Sequence, residues 1–444
     1  MSNLIALRDR VVSNFRNFEA LREDVDPAWL ATLRREAIER FAEAGFPTRK
    51  REDWKYTPVD PIARALAETA ARRSRIFASR RFAKAVDIST MSHFLVFVDG
   101  SFAPDLSSPG ALPDGAVVDG LSNVVRDRPD LAEALLARTR SADPRCFVEL
   151  NSAFQSDGAV VALSPGVVVS EPIHLLFLAT EDSDGNACFE RNLIDLADDA
   201  SAVVVERHLG LGDAAYVTDV VTEATLGSNA RLDHVALVRQ SSRAMHLATA
   251  SFEIGSRAQL RSHAISLGGA LIRNDINALL AEEGAECVLN GIYVAGDGQH
   301  VDNQSTIDHA KPHGTSRELY KGILGGRSRG VFNGKVIVRP DAQKSDAQQY
   351  NPNLLLSDGA EIDTRPNLEI HADDVKCAHG STVGCLDANA LFFLRSRGIG
   401  ERDARRMLAR AFATEVVDML PVDELRSELG GLVGSAVAQI GELR

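Results

Sequence analysis

The sequence predicts a mainly β chain whose centre is a stack of parallel coils, flanked by helical segments at both ends. Three observations lead there. From Phe94 to His379 the chain is a succession of short apolar runs rich in β-branched residues, such as FLVFVDG, GAVVAL, GVVVS, IHLLFLA and SAVVVERH, separated by Gly, Asp, Asn and Ser. A small turn followed by alanine returns at Ala200, Ala230, Ala258 and Ala285, in steps of 30, 28 and 27 residues. Outside this region the apolar spacing is helical.

The first ninety or so residues read as helical. Asp26 followed by Pro27 predicts an N-cap with proline at the first helical position, and Leu30, Leu33, Ala37, Ile38 and Phe41 then recur at helical spacing until Gly45 and Pro47 end the helix. The basic aromatic segment 49–56 is expected to be a loop that docks Trp54 and Tyr56 onto the domain. From 91 to 390 the coil region is expected, with no helix-length periodic segment inside it, and two looser members of the repeat follow at Ser328 and Ala360. A chain that returns to one small residue at this period winds in coils, each laying its strands on the last, and the open ends of such a stack need covering. A β-sandwich is the rival architecture. Beyond Arg397 and Gly398, Ala404, Leu408, Ala411, Phe412, Val416, Met419 and Leu420 fall on one helical stripe with Glu415 at its margin. Pro421 stops that helix, and a second carries Leu425, Leu429, Leu432, Val433 and Ile440. The pair either caps the coil stack or offers a docking surface. The chain thus divides into 1–90 helical, 91–390 coil core and 391–444 helical.

Composition narrows the function. With 444 residues and 45% apolar content, a sizeable core can be buried. Cys146, Cys188, Cys287, Cys377 and Cys385 are odd in number, dispersed and free of any CxxC pair, which argues against a disulfide framework. A net charge of −13 argues against a nucleic-acid surface. With no apolar run of about 18 residues and no charged-then-apolar leader, a soluble cytoplasmic protein is expected. No GxxxxGK[ST] motif is present, so the chain itself is not expected to hydrolyse ATP.

The most chemically informative stretch, 331–399, ends its ladder of β-type runs at Cys377 and His379. Two residues apart in an extended strand, they project from one face, and thiolate beside imidazole suits a soft or borderline metal. Both residue types are also common as core side chains. A zinc site made of His371, Cys377, His379 and Cys385 has a spacing that matches no common structural pattern. His300, His309 and His313 make a local polar cluster that Pro312 and Gly314 mark as a turn between coils. Asp373 and Asp374 resemble the carboxylates of polysaccharide-cleaving coil enzymes. Adjacent strand residues face opposite sides, however, which argues against an acid/base pair.

Three landmarks carry a family resemblance: RKREDWKYTPV at 49–59, FNGKVIV followed by QQYNPNLLLSDGAEI, and DDVKCAHGSTVG followed by FFLRSRGI. In this order, over nearly the whole chain, they resemble the SufB/SufD family of iron–sulfur cluster assembly proteins, its SufD branch in particular. The resemblance implies a right-handed parallel β-helix, no catalytic activity of the chain's own, and a complex with SufB and the SufC ATPase that builds nascent clusters at the SufB–SufD interface. It places the family's KCxHG motif on Cys377 and His379. There His379 is the first ligand of a transient iron–sulfur cluster shared with SufB, and Cys377 a supporting ligand or transient persulfide carrier. An ordinary thiol, with a pKa of about 8.5, is mostly protonated at neutral pH, so iron or a nearby cation must help to ionise Cys377. Where SufB carries its sulfur-accepting cysteine and a glutamate, this chain has Ala360 and Gly380. Methyl and hydrogen cannot bind iron, so the chain reads as the complementing half of a shared site. The resemblance also puts SufC docking on Leu408, Phe412, Val416 and Met419. It leaves open a reduced flavin and a homodimer formed without SufB, and assigns no residue of this chain to either.

Overall fold

Strand register organises the molecule. In the computed structural model, which describes residues 2–69, 86–138 and 145–440, the strands are β1 (His93–Val98), β2 (Ser101–Phe102), β3 (Ala116–Gly120), β4 (Ala159–Leu163), β5 (Ile173–Ala179), β6 (Ala187–Leu196), β7 (Ser201–Gly210), β8 (Val217–Leu226), β9 (Arg231–Arg239) and β10 (Met245–Ile254). They continue with β11 (Gln259–Gly268), β12 (Leu271–Leu280), β13 (Glu286–Ala295), β14 (His300–His309), β15 (Thr315–Leu324), β16 (Arg329–Val338), β17 (Asp346–Leu355), β18 (Glu361–Ile370) and β19 (Lys376–Gly384). From β4 onward consecutive strands alternate between two sheets. One sheet runs β2, β1, β5 and then the odd strands to β19; the other runs β3, β4, β6 and then the even strands to β18. The pairs are parallel except β1–β2 and β3–β4. This is the predicted parallel coil stack, with none of the antiparallel pairing of a sandwich in its coils.

The sequence repeat has a local cause. Asp199, Asn229, Arg257, Gly284, His313 and Lys344 all have φ between 53° and 72°, and each lies two residues before an odd strand, from β7 to β17. Their N–H groups bond the same turn of the next coil: Asp199 N–H donates to Ser228 O at 2.8 Å, Asn229 N–H to Ser256 O at 2.8 Å and Lys344 N–H to Asp374 O at 2.7 Å. The residue after each is Ala200, Ala230, Ala258, Ala285, Gly314 or Ser345, buried at the corner where only a small side chain fits. Ser328 and Ala360 instead precede the even strands β16 and β18. They belong to the other corner of the coil, and Gly314 and Ser345 are the true successors.

Helices cover both flanks. The N-terminal ones are α1 (Ser2–Arg22), α2 (Ala28–Ala44) and α3 (Asp60–Glu68). Pro27, not Asp26, is the N-cap of α2, and it makes no side-chain cap. The Asp26 carboxylate instead holds Arg22 at 2.7 Å and Arg34 at 2.8 Å, while Gly45 ends the helix with φ 67° as predicted. Three helices correct the expectation of an uninterrupted β region: α4 (Leu121–Asp127), α5 (Pro129–Arg138) and α6 (Cys146–Phe154). Leu121, Val124, Ala132 and Leu135 bury against Val160 of β4 and Leu193 of β6. With so few turns each, they leave a weak periodic signal among β-branched runs. Phe41, Trp54 and Phe147 pack with Phe189, Val217, Leu247 and Leu271 on the outer face of the even-strand sheet.

The C-terminal helices are α7 (Ala388–Ser396), α8 (Glu401–Val417) and α9 (Asp423–Ile440). Ala409, Ala413, Val416, Leu429 and Val433 pack on Leu237, Ile265, Ile292 and Ile323, on the outer face of the odd-strand sheet. Two cations rising from that sheet secure them. Lys321 Nζ donates to Phe412 O at 3.0 Å and pairs with Glu415, and Arg207 bridges Glu428 at 2.5 and 2.9 Å. These helices therefore flank the stack and do not cap its end. No further strand pairs with β18 or β19 among the described residues, and Tyr350, Ile370 and Val383 there are 56%, 41% and 49% exposed. The cysteines are free, and no described helix is long and apolar enough to cross a membrane.

Candidate functional site

The uncovered end of the stack carries the cysteine and histidine. Along β17 the side chains alternate: Ala347, Gln349, Asn351 and Asn353 are buried in the lumen, while Gln348 and Tyr350 face out. In the β17–β19 register Cys377 stands over Ala347 and His379 over Gln349. The two thus extend the lumen face by one coil, with no coil beyond them. Cys377 is half-buried against the lumen core, and His379 is exposed. Burial pushes the Cys377 thiol up, and the Asp346 carboxylate adds to this against a hydrogen bond from the Ala347 backbone. The shift disfavours the thiolate, the form a metal ion or a nearby cation stabilises.

The coil below is a hydrogen-bonded polar platform. Glu318 and Gln349 are register partners, and Gln349 Nε2 donates to Glu318 Oε2 at 2.6 Å. Burial pushes the Glu318 carboxyl up to about 7, despite the hydrogen bond from Gln349. Gly334 makes room for the amide, since a Cβ at that position would lie 2.2 Å from Gln349 Nε2. The FNGKVIV landmark is therefore the structural complement of QQYNPN. Asn351 Nδ2 donates to Tyr320 O at 2.8 Å, and its Oδ1 accepts from Asn353 Nδ2 and from Thr364 Oγ1, both at 2.7 Å. That last bond ties β17 to β18 across the lumen.

The other sequence candidates do not assemble. No three His, Cys, Asp or Glu side chains among the described residues are grouped to hold a metal ion, so His371, Cys377, His379 and Cys385 do not converge. His300 and His309 are the two ends of β14, roughly 30 Å apart at the usual strand rise. His300 Nε2 lies 2.8 Å from Thr57 Oγ1 and His309 Nε2 lies 2.9 Å from Ser316 Oγ, whereas His313 is one rung of the left-handed turn ladder. Asp373 and Asp374 lie in the turn before β19 and not in a strand, and Asp374 pairs with Lys344. Ala360 is a buried methyl at the end of an apolar cluster that includes Leu324 and Ile362, and Gly380 lies against Tyr350.

The motif at 49–59 is structural. Trp54 is buried under the Arg273 guanidinium, 3.8 Å from its ring centre, and Thr57 donates to Asp302, which also pairs with Arg273. Of the C-terminal stripe, Val416 is buried on the sheet, Leu408 and Phe412 are partly buried, and Met419 is 44% exposed. The Lys321 ammonium lies 4.4 Å from the Phe412 ring centre. The exposed apolar surface here includes Phe392 and Phe393 of α7, 73% and 54% exposed. Sequence reasoning did not select them, although the FFLRSRGI landmark contains both.

Comparison with known proteins identifies a family. Residues 177–412 match the family described as SUF system FeS cluster assembly, SufBD core domain, and residues 7–175 match the SufBD protein N-terminal region. The chain is 32% identical over 400 residues to the iron–sulfur cluster assembly protein SufD of Escherichia coli, covering 89% of this chain and 90% of that protein. It is 30% identical over 429 residues to a SufBD family protein of Synechocystis, covering 93% and 92%. With the SufD of Bacillus subtilis it shares 24% identity over 421 residues, covering 92% and 94%.

Proposed function

This chain belongs to the SufB/SufD family of SUF-system iron–sulfur cluster assembly proteins, and we propose that it is the SufD-like, non-catalytic half of a site shared between two subunits. The observation that carries this reading is the uncovered end of the coil stack, where Cys377 and His379 share the lumen face of the last strand. Unpaired strand edges with exposed apolar side chains are a template for another chain. A SufB-type partner continues the two sheets at β18 and β19, and the growing cluster is the cargo held between them.

His379 offers an imidazole with no need of deprotonation, and Cys377 offers a thiolate or persulfide once iron is present. Two ligands are too few, because cluster iron is usually held by four protein groups in total. Ala360 and Gly380 add none, so the partner supplies the rest. A SufC-type ATPase docks on the C-terminal helices through the accessible part of the α8 stripe, Leu408, Phe412 and Met419, with Phe392 and Phe393 extending the surface, whereas Val416 is committed to the sheet beneath. On this reading 1–90 and 391–444 are appendages of the 91–390 coil core. Co-expression with SufB- and SufC-type proteins tests the proposal. One stable complex is expected, and His379→Ala is expected to join it yet lower its iron and sulfide content at least roughly tenfold. Unchanged iron in that complex would contradict the ligand assignment.

A further inference from the structure

The column beneath His379 contains an amide with one end committed and the other free. Gln349 is wholly buried. Its Nε2 donates to Glu318 at 2.6 Å, while its Oε1 has no hydrogen-bond partner among the described residues. A buried carbonyl oxygen left without a donor costs about 1–3 kcal/mol, so its persistence calls for a partner at the site. The next lumen-facing residue in the column is His379, one strand spacing of about 4.8 Å away. A neutral imidazole carries one N–H and one lone pair. Donating that N–H down to Gln349 Oε1 leaves the other nitrogen's lone pair for a ligand beyond the open end.

We infer that Gln349, anchored by Glu318, is a positioning residue that fixes the ring orientation and tautomer of His379. The inference rests on the reading of His379 as a cluster ligand. Metal-binding histidines are generally held this way by a carbonyl or carboxylate on the far nitrogen. With Glu318 ionised, turning the amide over would set its oxygen against the Glu318 oxygen, and Gly334 keeps the space the amide occupies. Cys377 has no equivalent, since the methyl of Ala347 lies beneath it.

Nuclear magnetic resonance of the full chain with isotope-labelled histidine tests this at about pH 8, where an ordinary imidazole is neutral. His379→Ala identifies the signal. The expected result is one neutral tautomer for His379 in the unaltered chain and the mixture typical of free imidazole in Gln349→Met, with the Gln349→Met complex holding roughly tenfold less iron. A mixed tautomer in the unaltered chain overturns the inference, whether or not the variant folds. If that occurs while His379→Ala still depletes iron, the ligand reading stands and only the positioning role falls. If Gln349→Met releases the tautomer while His379→Ala leaves iron unchanged, the hydrogen bond is upheld and the ligand reading fails.

Discussion

Glu318 is a buried lumen carboxyl hydrogen-bonded to Gln349. Its pKa is raised from the ordinary 4.5 to about 7 by burial. A raised value means that its contribution to stability is fully present below 4.5 and is lost as pH rises through about 7. Glu318→Gln copies the protonated form and keeps an acceptor for Gln349. The variant should therefore match the parent in urea unfolding at about pH 4 and exceed it by roughly 3 kcal/mol at about pH 8. An equal gap at both pH values would show that the parent carries no protonated Glu318. Cys377 and His379 were legible in the sequence because two-residue spacing in a strand is a local property. The role of Gln349 was not, because it depends on register between strands about one coil apart, which no local pattern encodes.

At the scale of elements, the turn ladder and the C-terminal helices make separate predictions. Ala230 is fully buried at its corner, immediately after the left-handed Asn229. Ala230→Leu should cost about 1–3 kcal/mol through overpacking, read from chemical denaturation, and a neutral result would mean that the corner tolerates volume. In α8, Val416 is 1% exposed, so Val416→Asp buries a charge and should sharply lower the thermal midpoint of the isolated chain. Phe392→Asp should leave that midpoint unchanged and weaken capture of a SufC-type ATPase by about 2 kcal/mol, the loss typical of an interface anchor. Loss of stability in Phe392→Asp would make α7 part of the fold and not a docking surface. The alanine period revealed the coils because each corner repeats one steric constraint. It was misaligned at Ser328 and Ala360 because both corners favour small residues, and only the left-handed φ tells them apart. The helices between 121 and 154 were hidden by their shortness, and so was the exposure of Phe392 and Phe393 on the nine-residue α7.

The whole molecule is polar in the sense of direction. Its first coils end in the antiparallel strands β2 and β3, which stop further parallel pairing, whereas its last coil ends in the bare edges of β18 and β19. Parallel coils were legible in the sequence. The position of the helices was not, because an amphipathic stripe says that a face is buried without saying against what. The end of the stack left uncovered is also the end that bears Cys377 and His379, and this coincidence is the centre of the account. The most direct measurement is anaerobic incubation with iron and sulfide, followed by desalting and absorption spectroscopy, of the purified chain and of its complex with SufB- and SufC-type partners. No stable cluster chromophore is expected on the chain alone, and one is expected on the complex. A stoichiometric, stable cluster on the isolated chain would contradict the shared-site reading.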